Sequence, residues 1–184
     1  MREVTLITGN TEKINIAKAA LEGTDIVLNT QKINCPEIQS DDTEEIAKYS
    51  AKYASEYLKS NILKIDSGLF IEALGGFPGP YSEYIERKLD AKQILNLMQG
   101  IENKNAYYKE VMAYCEYGKE PITFTTYTKG IISNKVDGNL GWNFDRIFIL
   151  NGDTKTMANF NDAERANKYS HENWKSLVNY LNAH

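Results

Sequence analysis

Two acids stand where oxygen-ligand chemistry is favoured. Asp66 follows the apolar run Ile62-Leu63-Lys64-Ile65 and leads into Ser67-Gly68. A carboxylate at the end of a buried strand, beside small turn residues, is a common way to build a metal or phosphate site in an α/β protein. The same residues would also suit an aspartate that caps a tight turn. Glu37 follows Pro36 in an irregular stretch, so a loop can aim it. A third element is Thr8-Gly9-Asn10-Thr11-Glu12-Lys13. It lies between a β-rich run, Val4 to Ile7, and a helical pattern, Ile14 to Leu21. Asn10 or Thr11 can cap that helix, and its open N–H groups and dipole favour an anion. Lys13 in the first turn can address the same anion. The spacing is not that of a P-loop, and an ordinary capped helix with a solvated lysine has the same pattern.

These residues need elements to hold them. Ile62 to Ile65 reads as a short strand ending at an Asp66-Ser67-Gly68 turn, with Leu69, Phe70 and Ile71 resuming the apolar run. Gly75, Gly76, Pro78, Gly79 and Pro80 form a dense turn cluster. Asp25 to Leu28 reads as a strand, and Lys32 to Gln39 as irregular. Asp41 to Lys59 reads as a helix with caps at Ser40 to Thr43. Tyr49, Tyr53 and Tyr57 sit at helical spacing and are expected on its packed face. Helices are expected over Tyr84 to Gln99 and Asp162 to Leu181. A hairpin is expected from Ala106 to Tyr117 and Ile122 to Ile132, joined at Gly118 to Pro121.

Bulk properties narrow the function. The chain has 184 residues, 42% hydrophobic and 25% charged, which suits one domain over 1–184 with a sizeable core. Its net charge of −4 without a basic block argues against binding polymeric nucleic acid. There is no apolar run of membrane-spanning length and no leader-like start, so a cytoplasmic protein without membrane contact is expected. Cys35 and Cys115 lack metal-like spacing and read as thiols. His171 and His184 cannot make a multi-histidine metal site.

Taken in order, these pieces resemble the inosine triphosphate pyrophosphatase family, and the resemblance spans essentially the whole chain. Thr8 to Lys13 is similar to its Thr/Ser-Gly/Ser-Asn-x-x-Lys element, and Asp66 to Leu69 to its Asp-Ser-Gly-Leu. Leu74 to Ser82 matches Leu-x-Gly-x-Pro-Gly-x-Tyr-Ser. Gly141 to Arg146 is similar to Gly-Phe-Gly-Tyr-Asp-Pro, and Ser170-His171-Glu172 to Ser-His-Arg. Lys155-Thr156 also fits, and Pro36-Glu37-Ile38-Gln39 looks like the archaeal branch. The resemblance implies an α/β fold, with an elongated twisted mixed sheet flanked by helices in two lobes and a nucleotide cleft between them. It implies Mg²⁺-dependent hydrolysis of non-standard purine nucleoside triphosphates between the α and β phosphates, and a homodimer. Thr8, Gly9, Asn10, Thr11, Glu12 and Lys13 would cradle the triphosphate. Glu37 and Asp66 would hold Mg²⁺, Asp66 would help activate water, and Ser67 would touch phosphate. Trp142, Asn143, Phe144 and Asp145 would lie around base and sugar, with Arg165, His171 and Glu172 near the nucleotide. A family lysine on the second helix has two candidates here, Lys48 and Lys52.

The chain departs from that pattern in three places. Ile65 stands where a second acid is usual. Asn143 and Arg146 replace a glycine and a proline. Glu172 replaces an arginine that donates to the base, and a carboxylate accepts instead. The departures leave open a nucleotide-binding protein with altered base preference or lost hydrolysis. A pyrimidine-directed house-cleaning enzyme is a third reading, disfavoured by the purine-type Ser-His and Gly-aromatic elements.

Overall fold

The computed structural model of the chain describes residues 2–36, 38–169 and 171–184. Among these residues six strands form one mixed sheet in the order β2-β1-β3-β4-β5-β6. They are β1 (Arg2–Ile7), β2 (Ile26–Gln31), β3 (Ile62–Ile71), β4 (Asn105–Cys115), β5 (Ile122–Ile132) and β6 (Phe148–Leu150). β1 pairs in parallel with β2 and β3, whereas β5 and β6 are antiparallel. Among the described residues six α-helices accompany them: α1 (Thr11–Leu21), α2 (Thr43–Leu58), α3 (Ser82–Glu86), α4 (Ala91–Leu97), α5 (Asp162–Lys168) and α6 (Glu172–Ala183). This is the α/β fold anticipated above. The chain gathers into two compact units, the first from Met1–Asp66, Glu110–Thr126 and His171–His184, the second from Ser67–Lys109 and Tyr127–Ser170.

In the first unit, helices cover both sheet faces, as parallel strands require. Val4, Leu6, Leu63 and Ile65 pack with Ala17 and Leu21 of α1 and with Trp174, Leu177 and Leu181 of α6. Ile7, Ile62, Val111 and Ala113 pack on the other face against Ala47, Ala51 and Ala54 of α2. Alternation along β3 therefore puts Ile65 on the α1/α6 face and Asp66 on the α2 face, with Ile62. The second unit has its own core, in which Leu69 and Ile71 meet Ile94, Met98, Phe144, Ile147 and Phe148.

Several sequence expectations are corrected. Asp66-Ser67-Gly68 is not a turn, because β3 runs unbroken from Ile62 to Ile71. Gly68 is required for space. A Cβ there would lie 2.0 Å from the Gly79 carbonyl oxygen. The tyrosine stripe of α2 is not its packed face: Tyr49 is 45% and Tyr57 67% exposed. Two stripes with helical spacing were available, and the small one at Ala47, Ala51 and Ala54 is buried. It lets α2 approach the sheet closely, while Tyr53 and Tyr57 stack outside at 6.1 Å. The helix expected over 84–99 is two helices, split where Asp90 and Gln93 form a capping box that starts α4. The closing helix is likewise two, with α5 opened by an Asn161–Glu164 box. β2 continues three residues beyond the expected Leu28, held in register by β1 up to Ile7↔Gln31. Neither cysteine is in a disulfide. Among the described residues no helix is long and apolar enough to cross a membrane.

Candidate active site

The first unit builds one end of the site at the C-terminal edge of β1. Asn10 caps α1, its Oδ1 accepting from the N–H groups of Glu12 (2.8 Å) and Lys13 (3.3 Å). Thr8 Oγ1 accepts from the Asn10 N–H at 3.1 Å, which tightens the turn. These bonds fix the direction in which Lys13 leaves the helix. Its Nζ donates to the Ile65 carbonyl at 3.2 Å. The turn from Thr8 to Lys13 is thus tied to the residue before Asp66, and half-buried Asp66 and Lys13 share one neighbourhood. An ammonium has three donors, so Lys13 retains capacity for an anion. Lys32, which the sequence reading left in an irregular stretch, also arrives here. A Cβ on Gly9 would lie 3.0 Å from Lys32 Cδ and 3.5 Å from its Nζ.

Asp66 supplies hard carboxylate oxygens on the α2 face. Glu37, its expected partner, lies outside the described residues, as does Ser170. Among the described residues no group of three or more His, Cys, Asp and Glu gathers to form a metal cage. Asp66 is the described carboxylate of this strand end, a hard oxygen donor of the kind a divalent cation takes beside water and phosphate oxygens. Ser67 is half-buried next to Asp66 on β3. The two helix lysines are committed elsewhere. Lys48 pairs with Glu44 at 2.6 Å, and Lys52 pairs with Glu120 at 2.9 Å. At the start of α6, Glu172 pairs with Lys175 at 2.7 Å, and both side chains are well exposed. His171 precedes α6, its carbonyl accepting from the Trp174 N–H at 3.1 Å. Ile65 is 7% exposed inside the apolar cluster with Trp174, so nothing polar occupies the position of the missing acid.

The second unit holds the segment from Trp142 to Asp145. Asp145 is 2% exposed. Its Oδ2 accepts from the Trp142 N–H at 3.0 Å, and its Oδ1 accepts from Tyr169 Oη at 2.9 Å and Tyr108 Oη at 3.3 Å. Arg165 Nε lies 3.8 Å from Oδ2. Burial pushes the Asp145 carboxyl above the ordinary carboxylate range, opposed by these donors and by Arg165. Tyr108, fully enclosed beside that carboxylate, is raised well above an ordinary phenol, chiefly by burial. Arg165, itself 3% exposed, also donates to the Phe160 carbonyl at 2.7 Å and pairs with Asp162. Asp145 and Arg165 therefore form a closed knot that sets the shape of the loop. A Cβ on Gly141 would lie 2.3 Å from Asp145 Oδ2, so glycine is needed beside the knot.

Asn143 is spent in the same way. Its Oδ1 accepts from the Ala91 N–H at 3.0 Å, and its Nδ2 donates to the Leu89 carbonyl at 2.9 Å. Phe144 is 1% exposed in the core, and its N–H donates to Glu86 Oε1 at 3.2 Å. Trp142, 36% exposed, is the ring of this segment that remains open to a ligand. Sequence reasoning missed Tyr108, Tyr169 and Glu86. Each is a common residue far from the loop in sequence, and only tertiary packing brings it to Asp145 or Phe144.

Known proteins resemble this chain over most of its length. The Ham1 family profile matches residues 4–174. A dITP/XTP pyrophosphatase of Methanopyrus kandleri is 42% identical over 92% of this chain and 89% of its own. One of Methanosarcina mazei is 38% identical over 98% of this chain and 96% of its own. The solved HAM1 protein of Coxiella burnetii superposes with a TM-score of 0.85 over 100% of both chains at 22% identity. The Staphylococcus aureus Ham1 protein gives 0.83 over 99% of both at 23% identity. The structural likeness fixes the fold, and the profile reaches from the capped turn through β3 and the Trp142 loop; with archaeal relatives this similar over most of its length, the chain belongs to the Ham1 family.

Proposed function

We propose that this protein hydrolyses non-standard purine nucleoside triphosphates between the α and β phosphates, releasing a nucleoside monophosphate and pyrophosphate. The observation that carries the reading is the Lys13 ammonium at the Ile65 carbonyl, beside Asp66. It brings a cation, a capped helix start and a carboxylate into one neighbourhood in a chain whose archaeal relatives are dITP/XTP pyrophosphatases.

In this reading the turn from Thr8 to Lys13 binds the triphosphate through backbone N–H groups and the lysine ammonium. Ser67 donates its hydroxyl to a phosphate oxygen. Asp66, with Glu37, holds a divalent cation, Mg²⁺ by its preference for oxygen ligands. The cation, when bound, offsets negative charge on the phosphates and on the departing pyrophosphate. An Asp66 carboxylate oxygen accepts the proton of the attacking water. The new P–O bond forms at the α–β linkage as the bridging P–O bond breaks, and the proton then passes to solvent. Lys13 stabilises charge that grows on the leaving group.

Trp142 stacks on the purine, and His171 addresses its edge. Asp145, Arg165 and Asn143 act by positioning the Trp142 loop, consistent with their burial and complete sets of partners. Glu172 stays with Lys175 at the surface, which supports a base preference like that in the relatives' names. Homodimer formation and a cytoplasmic location belong to the same proposal.

The test is a substrate panel of ITP, XTP, GTP and ATP with Mg²⁺, reading pyrophosphate and monophosphate together. Asp66→Ala serves as control. The expected result is pyrophosphate release ranked ITP and XTP first and lost in Asp66→Ala. Release of single phosphate, or full activity in Asp66→Ala, would refute it.

A further inference from the structure

We infer that Lys32 is a second polyphosphate-binding cation of this site, acting on the pyrophosphate portion of the substrate and on the pyrophosphate product. The inference rests on the hydrolase reading above and adds a residue to it.

The placement of Lys32 follows from strand register. β1 and β2 pair residue for residue from Arg2↔Ile26 to Ile7↔Gln31. The Thr8 N–H donates to the Gln31 carbonyl at 3.1 Å, which carries the pairing one step further. Lys32 therefore leaves β2 beside Gly9, within the turn that precedes α1. Its stem crosses Gly9 closely. The position of a Cβ on Gly9 is 3.0 Å from Cδ, 3.2 Å from Cε and 3.5 Å from Nζ. Gly9 does not adopt a left-handed φ, so its lack of a side chain serves space, and the lysine uses that space.

Charge points to a ligand. Among the described residues the Lys32 ammonium makes no ion pair and no hydrogen bond, and the residue is exposed. Lys13 spends one bond on the Ile65 carbonyl and keeps two donors. The turn thus presents two ammonium groups in a chain of net charge −4. A pyrophosphate group, with several closely spaced anionic oxygens, matches two lysines acting as point charges. A nucleoside monophosphate lacks the charges that would engage the second.

Lys32→Met keeps an unbranched apolar stem over Gly9 and removes the charge, and Lys32→Arg keeps the charge. Pyrophosphate and inosine monophosphate are titrated calorimetrically into wild type and both variants in Mg²⁺ buffer. Lys32→Met is expected to weaken pyrophosphate binding about fivefold or more, the scale of a charge-assisted contact. Monophosphate binding should stay within about twofold, and Lys32→Arg should retain most of the pyrophosphate affinity. Pyrophosphate affinity of Lys32→Met within twofold of wild type, or equal loss for both ligands, overturns the assignment. Wild-type protein that binds pyrophosphate but releases none from any triphosphate refutes the hydrolase reading instead and leaves the Lys32 comparison standing.

Discussion

Gly68→Ala isolates the contact that fixes the strand carrying Asp66. Gly68 lies in mid-strand, where alanine backbone angles are unstrained, so the substitution tests space alone. The added methyl would sit 2.0 Å from the Gly79 carbonyl oxygen, 2.8 Å from its carbon and 3.1 Å from Ser82 Oγ. The first two neighbours are backbone and cannot rotate away. Relief requires the 79–82 segment to lift, and two bonds hold it down. Ser82 Oγ accepts from the Leu69 N–H at 2.8 Å and donates to the Gly79 carbonyl at 2.7 Å. Overpacking of this kind costs about 1–3 kcal/mol, and weakening both bonds adds about 1 kcal/mol or more. The entropy gained by replacing glycine offsets only about 0.4–1 kcal/mol, so the net loss is about 1–4 kcal/mol. For a chain of this size that lowers Tm by roughly 2–4 °C per kcal/mol, about 2–16 °C in all. Thermal unfolding measures it, with Gly75→Ala beside it. Gly75 has open space around it but φ of +65°, so its cost is backbone strain of about 1–2 kcal/mol. A Gly68→Ala protein that melts within 1 °C of wild type would show that the close approach at Gly79 is not fixed, and the account of β3 would fail.

Three further outcomes are expected. Lys13→Ala should raise KM for the triphosphate about tenfold while leaving monophosphate inhibition nearly unchanged; equal losses in steady-state assays would remove Lys13 from the phosphate chain. Ile65→Glu, which restores the acid usual at that position, should destabilise the protein by about 3 kcal/mol or more in urea, because it puts a carboxylate into the cluster with Trp174. Glu86 is half-buried beside the Phe144 N–H, and burial raises its carboxyl above the usual range. A raised folded-state value means that the folded protein binds the proton more tightly than the unfolded chain. Its contribution is therefore most favourable at low pH and is lost as pH rises from the ordinary glutamate value through the raised one. Glu86→Gln should flatten stability against pH just above that ordinary value, and an unchanged slope would exclude Glu86 as the source.

Legibility in the sequence follows the range of the interactions. The capped start of α1, with Asn10 one of two candidates, the strand before Asp66 and the hairpin from β4 to β5 are local and readable from spacing and turn residues. The Asp66-Ser67-Gly68 turn was misread because small polar residues next to a glycine look like a turn when the partner backbone is unseen. β3 runs on because it is held between β1 and β4, and the glycine is there because the Gly79 backbone, eleven residues away in sequence, packs against it. The tyrosine stripe of α2 was misplaced for a related reason. Spacing gives a face, but which face is buried depends on how closely the sheet approaches. Lys32 was invisible as a site residue because β2 was read to end at Leu28, and only pairing with β1 carries it to Gly9. The Asp145 knot draws Tyr108 and Tyr169 from distant positions, and no local signal marks either.

The departures from the family pattern make sense when each is taken with its neighbours. Asn143, where a glycine is usual, staples its loop to Leu89 and Ala91 through both ends of its amide. Arg146, where a proline is usual, donates to the Gly138 carbonyl at 3.3 Å, while its own carbonyl accepts from the Asp137 N–H at 2.9 Å. Rigidity that proline would give by fixing φ is here supplied by hydrogen bonds. Ile65 has no polar partner to lose, since it faces an apolar cluster closed by Trp174. Asn143, Arg146 and Ile65 are thus built into their surroundings, whereas Glu172 pairs with Lys175 at the surface. The Trp142 loop is therefore held in shape by the amide of Asn143 and the guanidinium of Arg146, and Lys13 stays tied to the residue before Asp66, the contact on which hydrolysis is proposed to depend.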